Sequence, residues 1–298
     1  IIDSLKTMKK VIFCSFIAIM MAACESPYIP EADGYEKDAN VTLHLSCYQQ
    51  EEFTRAAKPL TDQCARLSVA IFKQDGAKIK NINQMHDDDG FGTIGVSLQE
   101  GIYKVVAIAH SSTEGNATIT STEKVTFANN KMTDTFCYCG TLEVGEEPVE
   151  EEVQMLRVVA MVRLTVEGNI PDNVARFKFY YTGGSSTLNP STGYGCVNSK
   201  QTEYRSLAVG DTISRTFELY TAPHEQNDVL KIVITAQGND NSALNEWTME
   251  NVPITRNKIT AWQGKLFNDD GSGGGTFTDG GFTVLLDTEW DGTINYTW

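Results

Sequence analysis

Groups able to do chemistry are thinly spread along this chain of 298 residues. Its four histidines are His44, His86, His110 and His224, and no two of them share the spacing of a metal-ligand pair. The cluster His86-Asp87-Asp88-Asp89-Gly90 offers carboxylate oxygens to a hard cation such as calcium. It lacks the alternating spacing and the closing glutamate of a helix-loop-helix calcium site, so it reads as a polar loop between strands. There is no Gly-x-Ser-x-Gly elbow, phosphate loop or Gly-x-Gly-x-x-Gly turn in a strand-to-helix setting. Paired carboxylates could cleave a glycosidic bond if the fold brought two together, yet the sequence singles out no pair. The expectation is a protein with no catalytic, cofactor-binding or metal residues, and therefore not an enzyme.

The exception is a thiol. Cys24 stands directly after Met21-Ala22-Ala23, behind thirteen mostly apolar residues from Val11 to Ala23 and the pair Lys9-Lys10. Positive residues, a short apolar core and a small-residue site are the parts of a secretory signal, with translation starting at Met8. The apolar run is shorter than the roughly 20 residues needed to span a bilayer. A cysteine at this point resembles the bacterial lipobox, which implies cleavage between Ala23 and Cys24. The Cys24 sulfur would then carry a diacylglycerol and its amino group an acyl chain. No other cofactor is expected.

Removing residues 1–23 discards three lysines and one aspartate, taking the net charge from −15 to −17. Such a chain repels nucleic-acid phosphates and anionic lipid heads. Attachment to a membrane would come from the lipid, at about 0.8 kcal/mol for each buried methylene. Cys47, Cys64, Cys137, Cys139 and Cys196 remain in the mature chain. Export permits disulfides without requiring them, and burial as small apolar side chains accounts for these five.

Residues 24–40, with Pro27, Pro30, Gly34 and five acids, read as a solvated, lipidated tether. Beyond them the hydrophobic period is two. Val41-Thr42-Leu43-His44-Leu45 alternates, and Leu67 to Phe72, Gly101 to His110, Lys124 to Phe127 and Thr135 to Tyr138 follow as strands. Six glutamates between Glu143 and Glu152 mark the expected boundary between an N-terminal β-sandwich, residues 41–150, and a C-terminal one, residues 151–298. Met155 to Val166, Ala175 to Tyr181, Thr216 to Tyr220 and Val229 to Ala236 supply strands to the second. Gly271-Ser272-Gly273-Gly274-Gly275 reads as a flexible hinge before a terminal strand segment, 276–298, whose last residues place Ile294, Tyr296 and Trp298 on one face. The fold class expected is all-β, two antiparallel sandwiches in tandem.

The lipobox, Arg66 to Phe72, Tyr103 to His110, Leu156 to Leu164 and Tyr180-Tyr181-Thr182-Gly183-Gly184-Ser185-Ser186 together resemble the fimbrillin superfamily of Bacteroidales type V pili. Asn251 to Thr260, followed by Gly264-Lys265-Leu266-Phe267, is the most characteristic piece, and the minor, anchor-type subunits fit best. The resemblance implies transthyretin-like sandwiches, an outer-membrane lipoprotein at the cell surface, adhesion, and assembly with other fimbrial subunits by strand exchange. It also implies that shaft subunits lose their first strand to an arginine-directed protease, for which the Arg55-Ala56 bond is the candidate here. An anchor keeps that strand. Two alternatives stand beside the anchor. One is a shaft or tip subunit processed near Arg55. The other is a non-polymerising lipoprotein that binds surface glycans or host proteins through Trp247, Trp262, Trp290 or Trp298, although Trp262 and Trp290 alternate with apolar or small neighbours as core residues do.

Overall fold

The computed structural model describes residues 35–50, 55–207, 215–226, 228–277 and 282–283. Strands dominate, and the described helical pieces are the single 3-10 turns Leu60–Asp62 and Ala128–Asn130. The first half contains β1 (Val41–Gln50), β2 (Arg55–Pro59), β3 (Arg66–Lys73), β4 (Lys78–Met85), β5 (Thr93–Val96), β6 (Gly101–His110), β7 (Thr118–Ser121), β8 (Lys124–Thr126), β9 (Thr135–Val144) and β10 (Val149–Arg157). The second contains β11 (Ala160–Glu167), β12 (Arg176–Thr182), β13 (Thr187–Asn189), β14 (Tyr194–Gly195), β15 (Lys200–Ser206), β16 (Arg215–Thr221) and β17 (Asp228–Gln237). It is completed by β18 (Ala243–Ile254), β19 (Ile259–Lys265), β20 (Gly275–Phe277) and β21 (Phe282–Thr283).

In the first half the strand order is β2-β1-β10-β9-β6-β3-β4, with β5 also paired to β1. Alternation along β1 sends Val41, Leu43, Leu45 and Cys47 inward, where they meet Leu67, Val69 and Ile71 of β3 and Val105, Ala107 and Ala109 of β6. This is a sandwich core, made by the period-two rule. β3 and β6 are buried on their other face as well, which is why their sequences read as nearly unbroken apolar runs. Ala70, Phe72, Val106 and Ile108 on that second face pack against Ile119 and Val125, and against Val158, Val159, Met161, Leu188 and Ile259 from beyond the first sandwich.

The glutamate-rich stretch is not a linker. Residues 149–157 form β10, whose Val41↔Val149 to Cys47↔Met155 register makes it a parallel neighbour of β1. Val153 and Met155 point into the first core while Glu150 and Glu152 point to solvent, so alternation lets an acidic run serve as a strand. The last two residues then pair with β9, and the passage to the second core falls between Arg157 and Ala160.

The second half packs the sheet β16-β11-β19-β21 on the sheet β15-β12-β17-β18-β20. Phe177, Phe179 and Tyr181 alternate inward from β12 and meet Val162, Leu164, Ile232, Ile234, Trp247 and Trp262. The halves are also joined through main chain. β13 pairs with β8 at Thr187↔Thr126 and Leu188↔Val125, building a small sheet β14-β13-β8-β7 with strands from both.

Candidate functional site

In an all-β protein with few chemical groups, the parts able to bind another chain are strand edges and the strands seated beside them. β1 is an interior strand. It runs parallel to β10 on one side and antiparallel to β2 and β5 on the other, with Val41↔Val96 and Gln50↔Arg55 bounding those two registers. Its four inward side chains are at most 6 % exposed. At roughly 25 cal/mol per Å2 of apolar surface, their burial stabilises the first sandwich by several kcal/mol. Polar contacts hold the flank: His44 Nε2 lies 2.9 Å from Glu150 Oε1, Glu36 pairs with Lys80, and Asn40 exchanges side-chain hydrogen bonds with the Leu98 main chain.

Arg55 and Ala56 lie in β2, opposite Gln50 and Gln49 of β1, on the strand that ends this sheet. Ala23 and Cys24 lie outside the described residues, as does most of the terminal segment. Its described parts pair with the second sandwich: β20 runs parallel to β18 at residues 247–249, and β21 pairs with β19 at Ala261↔Thr283 and Trp262↔Phe282.

The cluster His86 to Gly90 forms a turn. Asp88 accepts a hydrogen bond from the Met85 N–H at 2.7 Å, which closes the turn after β4, and His86 lies 3.1 Å from Asp87. Among the described residues no group of three His, Cys, Asp or Glu side chains is placed to hold a metal ion. Trp262 is a core residue at 4 % exposure, in keeping with its apolar neighbours in the sequence, and Trp247 is corrected from a surface platform to a core residue at 1 %. Their β18 and β19 positions face inward, and an indole turned into a core presents no ring to a sugar. Trp290 and Trp298 lie outside the described residues. Cys47, Cys64 and Cys137 are buried, Cys139 is half-buried and Cys196 is exposed.

One polar cluster was not legible in the sequence. A cleft of about 500 Å3 at the passage between the cores is lined by Lys58, Asp62, Asp134, Arg163, Glu218 and Tyr220, among others. Arg157 Nε and Nη2 donate to the two Asp134 oxygens at 2.7 and 2.9 Å, and Nη2 also donates to Gln63 at 3.0 Å. The guanidinium sits 4.6 Å from the centre of the Phe136 ring. Burial pushes the Asp134 carboxyl up and the Arg157 bonds pull it back. Across the cleft Arg163 Nε donates to Glu218 at 3.0 Å, and the Tyr220 hydroxyl donates to the other Glu218 oxygen at 3.0 Å. Matched in this way, the charges lock the passage from β10 to β11 in place. The two arginines interrupting the apolar run 155–166 were the available signal.

The family model of fimbrillin-A associated anchor proteins Mfa1 and Mfa2 matches residues 30–284. The chain belongs to that family. Membership makes it a fimbrial anchor or minor subunit, associated with the fimbria at the cell surface and with other fimbrial subunits as partners. A comparison with curated proteins gives no match. Among solved structures, the fimbrial anchor protein Mfa2 from Porphyromonas gingivalis is 13% identical, with 69% of this chain and 81% of that chain covered at a TM-score of 0.39. A fimbrial assembly protein from Parabacteroides distasonis is 12% identical, with 75% and 90% covered at a TM-score of 0.42. The family assignment rests on the family model, which spans both sandwiches.

Proposed function

We propose that this family member is an outer-membrane lipoprotein held by Cys24, a catalytically silent anchor that keeps its first strand and joins neighbouring subunits by strand pairing. Adhesion follows from membership of the assembled fimbria. The observation that carries the reading is the seat of β1. A strand with partners on both sides and four buried side chains leaves its sheet complete. A shaft subunit that accepts a donated strand needs that position vacated, and an anchor whose lipid lies upstream of β1 needs it filled.

Sequencing the amino terminus of the envelope-bound protein tests the reading. A blocked, acylated Cys24 is expected, whereas a terminus at Ala56 would replace the anchor with the processed shaft or tip subunit. Cys24→Ala should leave an unlipidated precursor that washes from the membrane, and unchanged membrane fractionation would remove the lipid from the account. The donor is proposed to be the carboxyl-terminal segment, on the strength of its alternating pattern and glycine-rich approach. Deleting residues 282–298 should abolish joining to partner subunits while export continues; normal assembly would reject that role.

A further inference from the structure

β1 and β10 open and end the first half, and they are parallel neighbours through seven residue pairs, Val41↔Val149 to Cys47↔Met155. β11 opens the second half and runs parallel to β19 through seven more, Met161↔Ile259 to Glu167↔Lys265. In both cases the chain enters the pair at one end of the ladder and leaves it at the other. It reaches β1 at Val41 and leaves β10 at Arg157; it reaches β11 at Ala160 and leaves β19 at Lys265. These points are fastened. Before β1 the Glu36 N–H donates to the Gly95 carbonyl at 2.9 Å, and the Glu36 carboxylate accepts from the Ser97 N–H at 2.7 Å. After β10 the Arg157 guanidinium holds both oxygens of Asp134. The Asn257 N–H donates to the Val159 carbonyl at 2.8 Å, and Gln263 Nε2 donates to Glu167 at 2.6 Å, so the second ladder is tied near both ends.

We propose that these two parallel ladders are mechanical clamps in series, which let the chain carry tension between its amino-terminal end and a partner bound beyond β19. An antiparallel hairpin pulled at its two chain ends loses its hydrogen bonds one at a time. Pulling the start of β1 against the end of β10 instead slides one strand along the other. The evenly spaced bonds of a parallel ladder then resist together. The same geometry holds for β11 against β19. Forced unfolding is governed by the unfolding barrier rather than by net stability, so strand direction sets the strength even where the number of bonds is equal. Sliding β1 also drags Val41, Leu43 and Leu45 across the first core, where they are packed with Leu67, Val69 and Val153. The tension rests on the anchor reading, a lipid at one end and neighbouring subunits at the other; the clamps follow from strand direction alone.

Single-molecule force spectroscopy on the full chain tests the clamps in two pulling geometries. In the first, the handles are at the amino and carboxyl ends, so the load passes through both ladders in series. In the second, the amino-terminal handle stays and the other is attached through Glu147→azidophenylalanine, an exposed position just before β10. That placement loads β1 and β10 from the same end and unzips them. At one loading rate, the end-to-end geometry should rupture at a severalfold higher force. An equal or lower force would overturn the clamps, because failure of either ladder weakens the series. Attachment at Glu146, also exposed, repeats the unzipping arm, and a ratio present at only one of the two positions would overturn them as well. The force ratio found in a chain that cells leave unlipidated would defeat the anchor reading and leave the clamps standing. Equal forces in a chain acylated at Cys24 would defeat the clamps alone.

Discussion

Among the described residues, the first strand and the last two strands are seated differently in their sheets. β1 is interior, pairs with three strands and sends four side chains into the first core. Among the described residues, β20 and β21 pair through three and two residue positions, at the ends of the second half's sheets. Main-chain pairing is common to both. What holds β1 in addition is the apolar surface removed from water along with its main-chain pairing.

The comparison can be broken most forcefully at β1. Deleting residues 41–47 should leave the first sandwich unfolded, seen as loss of its cooperative transition in denaturant. Leu43→Ala should cost about 3 kcal/mol by the usual range for a buried leucine, read from the shift in urea midpoint. Breaking the lock with Arg157→Ala should cost a similar amount, about 3 kcal/mol, because it strands Asp134 without its partner; an unchanged midpoint would dismiss the cluster as decoration.

Acid sharpens the comparison. His110, at the end of β6, is 2 % exposed beside Phe127, and burial followed by the Arg66 charge lowers its pKa from 6.5 to about 4. The unfolded chain then takes up the proton first. Stability from this group is fully present above pH 6.5 and is lost as pH falls to 4, by about 3 kcal/mol at 1.4 kcal/mol per pKa unit. His110→Gln should flatten that part of the stability–pH curve. Smallest of all, Leu156→Lys should change stability by less than about 0.5 kcal/mol, since that β10 side chain faces solvent.

Much of the β pattern was legible because alternation is local. Val41 to Leu45 and Val229 to Ala236 fall within observed strands, as does Ala175 to Tyr181 from Arg176 onward, and their inward residues are the core. The run Met155 to Val166 was harder. It reads as one strand, yet the chain leaves the first core after Arg157 and enters the second at Ala160, with Val158 and Val159 apolar because the junction between the cores is itself packed. The glutamates of β10 concealed a strand for a related reason. Their pattern fits both a solvated loop and the outer face of a sheet, and only a neighbour such as β1 distinguishes the two.

The sequence by itself determined the all-β class, the inward residues of most strands, the acidity and Cys24 as the candidate lipid site, all of which depend on residue identity or near-neighbour spacing. Only the tertiary structure decided that β10 runs parallel to β1, that β8 and β13 stitch the halves together, and that Asp134 meets Arg157. Those pairings join residues far apart in the chain. Their partners are selected by the closing of a shared core, and short-range periodicity carries no information about that choice.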